Sequence, residues 1–432
     1  MKWIETTVGE FCPFIYGKGL TKTERKKGNV PVYGSNGCVD FHSESHTKGP
    51  GIVIGRKGSV GAVHLSTVPF WPIDTSFYIE KETLDELKFT YYLLKSLGLE
   101  DMNSDSAVPG LNRENAHSLV VNIPERIEDR ELLGRWISKY DDKIERNRQT
   151  NQTIENIAQA IFKSWFVDFE PTRAKIAAKE NGQDPERAAM AAIAGKPLDQ
   201  LDTLSDKQLE TLKTTAVHFP DKLVESELGG IPEGWGVKPL SQMVELIGGG
   251  TPKKSEDAYW NGDISWFSVK DAPVDGDVFV IDTEAKITEL GLNKSSTKLL
   301  PEGVTIISAR GTVGRLALVG IPTAMNQSCY GVKGAGGVGA YLNYFNLKEA
   351  VSTLQQNTHG AVFDTITRDT FDTVNLVEAS EELQKAFETL VTAKFEKIKN
   401  NLFEKKSLEQ LRDTLLPKLL SGELSIDSEA AA

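Results

Sequence analysis

The chain of 432 residues contains an internal duplication, and this feature constrains its fold more than any other. The stretch RKGSVG at 56–61 returns as ARGTVG at 309–314, an offset of 253 positions. Apolar residues typical of strands precede both stretches, GIVIG at 51–55 and GVTIIS at 303–308. A repeat that holds its register in this way predicts two copies of one structural unit.

The two copies differ in length ahead of the glycine stretch. The opening WIETTVGE at 3–10 matches WGVKPLSQ at 235–242 at an offset of only 232 positions. The second copy therefore has 21 extra residues before its glycine stretch. We place most of this insertion around Asp271–Leu300.

Each copy ends in a long segment with helical periodicity. From Glu131 to Phe166, residues of one face recur in alternating steps of three and four, as in a coiled-coil seam. The segment 143–157 matches 397–411, so the second copy ends in a similar helix. Asparagines near the middle of the seam favour one register and one partner. The predicted seam residues are Ile137, Ile144, Asn147, Ile154, Ile161, Trp165, Val391, Ile398, Asn401, Leu408, Leu415 and Leu419.

These patterns predict an α+β fold with pseudo-two-fold internal symmetry. Two mixed globular units are each followed by a long helix, and the two helices pair as an antiparallel coiled coil. The first helix would be roughly 50 Å long at 1.5 Å per residue, which would hold the globular units at a fixed separation. A coiled coil that dimerises two chains is the alternative. The predicted segments are a globular unit at 1–125, a helix at 126–170, a linker with one or two short helices at 171–230, a second globular unit at 231–378 and a second helix at 379–425.

Composition narrows the class of protein. No run of 18 apolar residues occurs, so no membrane span is predicted, and the N-terminus does not resemble a secretory leader. Three cysteines cannot form a disulfide framework, which favours a reducing, cytoplasmic location. The formal net charge of −12 argues mildly against binding nucleic acid. Eight basic and three acidic residues nevertheless lie between Gly17 and Lys57, and such a patch can bind a phosphate backbone.

The motifs of nucleotide-binding, metal-binding and catalytic proteins are missing from the sequence. No GxxxxGK[ST] loop is found, and GGGTPKK at 248–254 lacks the spacing of a dinucleotide-binding loop. Cys38, His42 and His46 have no second Cys or His pair nearby, so we expect no metal site. No nuclease carboxylate motif and no nucleophile-base signature is evident. These absences favour a binding protein over an enzyme.

The polar and basic loops have side chains suited to DNA. Arg pairs with guanine and Asn or Gln with adenine, while Ser, Thr and amide groups suit phosphate oxygens. We expect the glycines to let the backbone approach a duplex closely. For each residue, a solvated loop side chain is the alternative. The candidate DNA contacts are Lys18, Lys22, Lys26, Ser35, Asn36, Arg56, Lys57, Ser59, Lys253, Lys254, Ser268, Lys270, Arg310, Thr312, Arg315 and Gln327.

Several longer motifs occur in order along the chain. They are VIGRKGSVG and IISARGTVG, IGGGTPKKSEDAYWNGDISWFSVKD, GLNRENAHSLVVNIP, IAQAIFKSWFVDFEP, SELGGIPEGW and LEQLRDTLLPKLLSGEL. Together they resemble the specificity subunit of type I restriction–modification systems over essentially the whole chain. The Ala-rich stretch 171–230 matches that family only at its edges.

The resemblance implies a non-catalytic subunit that recognises DNA sequence. Each globular unit would be a target-recognition domain that binds one half of a bipartite, asymmetric duplex site. The helices would set the unread spacer and dock two DNA methyltransferase subunits, which restriction and translocase subunits then join. S-adenosylmethionine, ATP and Mg²⁺ would belong to those partners, with no cofactor in this chain. The alternatives are a coiled-coil adaptor that never touches DNA and a self-sufficient methyltransferase or nuclease.

Overall fold

The chain divides into two compact units in a computed structural model that describes residues 1–102, 110–357 and 365–426. The first unit consists of residues 1–145 and 405–432, and the second of residues 146–404. The boundary falls inside both long helices, so each unit contains part of each helix. Strands and helices occur together in both units, which confirms the predicted mixture of helix and sheet.

The first copy consists of short strands and short helices followed by one long helix. Its elements are β1 (Trp3–Thr7), α1 (Val8–Phe11), β2 (Ile15–Tyr16), β3 (Val30–Gly34), β4 (Gly37–His42), β5 (Gly51–Gly55), β6 (Val63–Ser66), β7 (Trp71–Pro72), β8 (Ser76–Glu80), α2 (Leu84–Ser96), α3 (Arg113–His117), β9 (Val120–Pro124) and α4 (Ile127–Phe166). One sheet has the order β2-β8-β5-β6, a second has the order β4-β3-β7, and β1 pairs with β9. The glycine stretch follows β5, the best buried strand of the first sheet.

The stretch between the copies is more ordered than a linker with one or two short helices. It forms three helices and a hairpin, α5 (Glu170–Glu180), α6 (Pro185–Ala194), α7 (Asp206–Ala216), β10 (Leu223–Ser226) and β11 (Gly229–Pro232). Ala178 and Ala189 are buried. Their small side chains allow α5 and α6 to pack closely. The ammonium group of Lys175 donates to the carbonyl oxygen of Phe219 at 2.8 Å, which fastens α5 to the chain beyond α7.

The second copy repeats this arrangement with additions. Its elements are β12 (Gly236–Pro239), α8 (Leu240–Met243), β13 (Val244–Gly248), β14 (Trp260–Phe267), β15 (Phe279–Val280), β16 (Lys286–Ile287), α9 (Glu289–Asn293), β17 (Thr305–Ser308), β18 (Leu316–Val319), β19 (Thr323–Met325), β20 (Cys329–Gly334), α10 (Ala340–Asn357), β21 (Asn375–Glu378) and α11 (Glu381–Leu420). The sheet orders are β13-β20-β17-β18-β15 and β16-β14-β19, and β12 pairs with β21.

The extra residues of the second copy lie in two connections. Strands β3, β4 and β7 pair as β14, β16 and β19 do, antiparallel on one side and parallel on the other. The turn Ser35–Asn36 joins β3 to β4, whereas residues 268–285 join β14 to β16. Residues 288–304 then join β16 to β17, where the first copy has only 43–50. This agrees with the predicted insertion around Asp271–Leu300.

Both long helices contribute apolar side chains to the core of each unit. In the first unit, Leu133 of α4 and Leu419 of α11 belong to one buried cluster, and in the second, Trp165 and Phe387 do so. Burying one large apolar side chain contributes about 1.5–3 kcal/mol. Of the predicted seam residues, Ile137, Asn147, Trp165, Val391, Ile398, Asn401 and Leu419 are buried, and Ile144, Ile154, Ile161, Leu408 and Leu415 are partly buried.

Within the described residues, no helix is both long and apolar enough to cross a lipid bilayer.

Candidate nucleic-acid interface

The glycine stretches form the same loop in both copies. The amide of Gly61 donates to the carbonyl oxygen of Gly55 at 2.8 Å, and Gly314 donates to Ser308 in the same way at 2.9 Å. Positive φ angles, which favour glycine, occur at all four glycines of the two loops. They are +83° at Gly58, +74° at Gly61, +79° at Gly311 and +83° at Gly314.

The last glycine of each loop packs against the protein itself. A Cβ atom at Gly61 would lie 2.2 Å from the main chain of Leu99, and one at Gly314 would lie 2.9 Å from the side chain of Val351. Close approach at these two positions is therefore to the following part of the same copy. A Cβ atom at Gly311 would face open space, so this turn is exposed.

Main-chain hydrogen bonds fix each loop from two sides. The carbonyl oxygen of Arg56 accepts from the amide of Leu111 at 2.9 Å, and that of Ala309 accepts from Ile366 at 2.9 Å. On the other side, the amide of Arg56 donates to Thr75 at 2.9 Å, as Ala309 does to Ser328 at 2.8 Å. The two copies thus present different side chains on one main-chain framework.

The structure brings five of the predicted contacts of the first copy together. Ser35 and Asn36 form the tip of the β3–β4 hairpin beside the glycine loop. The hydroxyl of Ser59 donates to the side-chain oxygen of Asn36 at 3.4 Å. Lys57 and Asn36 are exposed and Arg56 is half-buried. These residues form one polar surface with hydrogen-bond donors and positive charge.

The other three predicted contacts of the first copy lie between β2 and β3. The ammonium group of Lys18 lies 5.7 Å from the ring centre of Trp71. The amide of Lys26 donates to Nδ1 of His42 at 2.9 Å, and Lys22 is exposed. The guanidinium of nearby Arg25 donates to Asp40 at 2.9 Å and lowers the pKa of that carboxyl. The described contacts of these lysines are therefore with β4 and β7.

His42 and His46, two of the residues with metal-like spacing, have contacts within the first copy. His42 accepts the Lys26 amide, and the ring of His46 packs 5.5 Å from that of Trp71. Throughout residues 1–102, 110–357 and 365–426, no group of three or more His, Cys, Asp or Glu side chains is arranged to hold a metal ion.

An arginine–tyrosine stack beside the first loop was missed by the sequence analysis. The guanidinium carbon of Arg56 lies 5.3 Å from the ring centre of Tyr16, and that of Arg113 lies 5.0 Å from it. Tyr16 lies on β2, which is only two residues long and gives no periodic signal. Its contact with Arg113 depends on the fold, because the two residues are far apart in the sequence.

The second copy brings Arg310, Thr312 and Gln327 to one side of its domain. Arg310 and Thr312 are exposed on the glycine loop, and the loop is bonded to Ser328, next to Gln327. The hydroxyl of Thr251 donates to the side-chain oxygen of Gln327. This surface presents one guanidinium group with hydroxyl and amide groups, and so differs chemically from the first copy.

Other predicted contacts of the second copy are partly used within the protein. The hydroxyl of Ser268 donates to Asp271 at 2.9 Å, and Lys253 pairs with Glu256 at 2.9 Å. The guanidinium of Arg315 donates to the carbonyl oxygen of Pro273 at 2.9 Å. Lys254 and Lys270 are exposed.

The longer β14–β16 connection of the second copy is anchored on α4. The amide of Gly276 donates to the carboxylate of Glu155 at 3.0 Å. The same carboxylate accepts from the Tyr344 hydroxyl at 3.0 Å and from the Lys348 ammonium at 2.8 Å. Burial and the neighbouring Glu155 raise the pKa of Tyr344, so this hydroxyl stays a donor.

The chain matches known proteins over most of its length. The profile of the type I restriction modification DNA specificity domain matches residues 1–156 and 232–404. The specificity subunit of the type I restriction enzyme HindI from Haemophilus influenzae is 34% identical over 330 residues, which cover 73% of this chain and 71% of that relative. The MjaIX specificity subunit from Methanocaldococcus jannaschii is 28% identical over 348 residues, 79% of this chain and 69% of that one. The two ranges of the profile include both glycine loops.

The fold is also similar to a solved structure. The crystal structure of the S subunit of a type I restriction–modification system from M. genitalium superposes with a TM-score of 0.57. The similarity covers 99% of this chain and 97% of that chain, at 15% sequence identity.

Proposed function

Because this chain belongs to the type I restriction modification DNA specificity family, we propose that it recognises a bipartite, asymmetric site in double-stranded DNA. Specificity subunits are the non-catalytic DNA-recognition components of type I systems. In our proposal, residues 1–125 bind one half of the site and residues 231–378 bind the other.

The main support for this proposal is that the same glycine loop occurs in both copies. Both loops have the same main-chain hydrogen bonds, yet Arg56 and Lys57 in one copy correspond to Ala309 and Arg310 in the other. Sequence readout depends on side chains that meet base edges. Two copies with one framework and unlike side chains suit two unlike half-sites.

We further propose that the helices at 126–170 and 379–425 pair as an antiparallel coiled coil with pseudo-two-fold symmetry, and that they set the unread spacer. Within the second unit, the Asn147 side-chain amide donates to Glu404 at 2.7 Å, and Asn401 donates to Asn151 at 2.8 Å. Residue numbers fall along one helix as they rise along the other, which supports an antiparallel direction.

The partners in this proposal are two DNA methyltransferase subunits on the helices, joined by restriction and translocase subunits. S-adenosylmethionine, ATP and Mg²⁺ then act in the partners. Specific binding to DNA is expected from the complex with the methyltransferase subunits. The segment 171–230 has no assigned role.

A domain exchange tests the proposal. Residues 1–125 are replaced by the matching segment of a relative, and the chain is produced with its methyltransferase subunits. Sequencing of methylated positions in the host DNA should show a new first half-site, with the second half-site and the spacer unchanged. A change in both half-sites, or in neither, would contradict the assignment of one half-site to each globular unit.

A coiled-coil adaptor that never touches DNA gives a different result. In that case, replacing Arg56, Lys57 and Arg310 by Ala would leave the affinity of the complex for DNA and its salt dependence unchanged. We expect both to fall, because arginine and lysine at exposed loops release counterions from the phosphate backbone.

A further inference from the structure

We propose that Tyr16, Arg56 and Arg113 make the base-discriminating contact of the first half-site, and that the base is guanine. The Arg56 fork contacts the O6 and N7 acceptors of the base, the Arg113 guanidinium lies at the same ring, and Tyr16 is the positioning residue that both contact. This inference rests on the proposed function, since it assigns residues and a base preference to one of its two recognition domains.

The geometry joins three parts of the first copy at one exposed ring. Tyr16 is 49% exposed and lies on the edge strand β2. The guanidinium carbon of Arg56 lies 5.3 Å from its ring centre and 6.0 Å from that of Phe77. The guanidinium carbon of Arg113 lies 5.0 Å from the Tyr16 ring centre. One ring thus contacts both cations.

The positive charge of this cluster is only partly neutralised. Within the described residues, Arg56 makes no ion pair with a carboxylate. Arg113 pairs with Glu114 at 2.9 Å, and the side chain of Glu114 is 73% exposed. Two like charges on one ring repel each other, so an electron-rich ligand at this point is favoured.

The cluster is also held in place before any ligand binds. Main-chain bonds to Thr75 and Leu111 fix the backbone of Arg56 on both sides. Contacts with Tyr16 and Phe77 restrict its side chain, so less rotamer freedom is lost on binding. A guanidinium fork matches the O6 and N7 acceptors of guanine in the major groove, and no other base presents that pair.

Within the described residues, the second copy lacks the cluster, although its glycine loop has the same main-chain hydrogen bonds. Tyr16 pairs with Phe77 across the sheet as Gly248 pairs with Tyr330, so glycine replaces the tyrosine. Ala309 takes the place of Arg56. Of these three positions, only the one that corresponds to Arg113 has an arginine in the second copy. The stack is therefore found only in the first copy, as expected for residues that determine the sequence of one half-site.

A selection from random duplex DNA tests the inference. The full chain with its methyltransferase subunits is incubated with a duplex library, and bound sequences are counted. Arg56→Lys and Arg113→Lys keep the charge and remove the fork. We expect each to lower the preference for guanine at one position of one half-site by roughly tenfold to a hundredfold. Tyr16→Leu should weaken the same preference, and Tyr16→Phe should retain it because the ring remains.

Two controls make the outcome specific. Lys207→Gln removes an exposed charge on α7 and should leave every position unchanged. Thermal unfolding of each variant should match the wild type, because Tyr16 is exposed and the two arginines are only partly buried.

Distinct outcomes separate this inference from the function beneath it. If the variants weaken binding equally for all sequences, or alter both half-sites, the cluster contacts phosphate and the assignment is overturned. The assignment is also overturned if the wild-type complex selects a bipartite site and the variants select the same bases. A wild-type complex without bipartite selectivity would overturn the proposed function and the inference together.

Discussion

The carboxylate of Glu155 on α4 accepts a hydrogen bond from the ammonium group of Lys348 on α10 at 2.8 Å. With the donors Tyr344 and Gly276, it forms the polar junction between the first long helix and the second copy. Glu155 is only 5% exposed, and a buried carboxylate is costly unless donors such as these three stabilise it.

Replacing Glu155 by Ala should destabilise the second unit. The buried Tyr344 hydroxyl and the Gly276 amide would lose their acceptor, and each unsatisfied group costs about 1–3 kcal/mol. We expect the free energy of unfolding, measured by urea denaturation, to fall by about 2–5 kcal/mol.

Glu409 provides the matched control. It corresponds to Glu155 in the duplicated helix, is only partly buried, and has no hydrogen bond or ion pair within the described residues. Glu409→Ala should change the free energy of unfolding by less than about 0.5 kcal/mol. A similarly small loss of unfolding free energy for Glu155→Ala would show that the hydrogen bonds to Glu155 do not stabilise the fold.

The buried pair of Asn151 and Asn401 should show energetic coupling. Each asparagine is 1% exposed, and they share a hydrogen bond of 2.8 Å. Asn151→Ala and Asn401→Ala should each cost about 1–3 kcal/mol, because the remaining amide loses a partner. The double variant should cost less than the sum, by about 0.5–2 kcal/mol in a double-mutant cycle. Strict additivity would be evidence against this hydrogen bond.

The glycines of the loop should differ in their tolerance of alanine. Gly61→Ala requires the Leu99 main chain to move, since the new Cβ would lie 2.2 Å from it, and φ is +74°. It should lower the melting temperature strongly or prevent folding. Gly311→Ala meets only the φ penalty, about 1–2 kcal/mol. Gly49→Ala, with open space and no positive φ, should be neutral. The order is checked by thermal unfolding, and a harmless Gly61→Ala would contradict it.

The three cysteines should separate by reactivity. Burial raises the pKa of Cys12 and of Cys329 to about 12, whereas Cys38 is exposed. Iodoacetamide between pH 7 and 9 should label Cys38 alone in the folded protein, and all three in urea, as read by peptide mass spectrometry.

The same raised pKa values predict how stability changes with pH. The unfolded thiols lose their protons near pH 9, while the folded ones retain them. Stability should therefore decline as the pH rises above about 9, in a urea titration at several pH values. A Cys12→Ser, Cys329→Ser variant should decline less between pH 9 and 10, below the range in which buried tyrosines such as Tyr344 add their own loss.

Lys57 and Arg310 should affect DNA affinity through charge. Both are exposed, and neither pairs with a carboxylate within the described residues. Lys57→Gln and Arg310→Gln should each reduce the slope of log affinity against log salt by about one for the complex with its methyltransferase subunits. Lys207→Gln is the charge-matched control. Unchanged slopes would place these two side chains away from phosphate.

The sequence predicted features that repeat and missed those that occur once. The duplicated loop and the helical seam have a period or a second copy, so residues such as Ile398 and Trp165 were found to be buried where expected. Glu155 and Glu409 are identical in the aligned helices, but only Glu155 meets the insertion of the second copy. That contact depends on where a long loop folds, and no local pattern encodes it.

The candidate site divides in the same way. Local motifs identified Arg56 and Lys57, whereas Tyr16 became part of the site only through the pairing of β2 with β8. Sequence alone also gave the glycines one role, although a close approach to the protein's own backbone at Gly61 demands glycine equally.

The main-chain bonds that hold both loops bear on how such a protein diverges. The bonds from Leu111 to Arg56 and from Ile366 to Ala309 join backbone atoms, so they form whichever side chains those residues have. The next residue of each loop, Lys57 or Arg310, is exposed, so a mutation there alters the surface offered to a ligand at little cost to folding. After a gene duplication, the two halves of this chain could drift toward different targets, and each intermediate on the way would still fold.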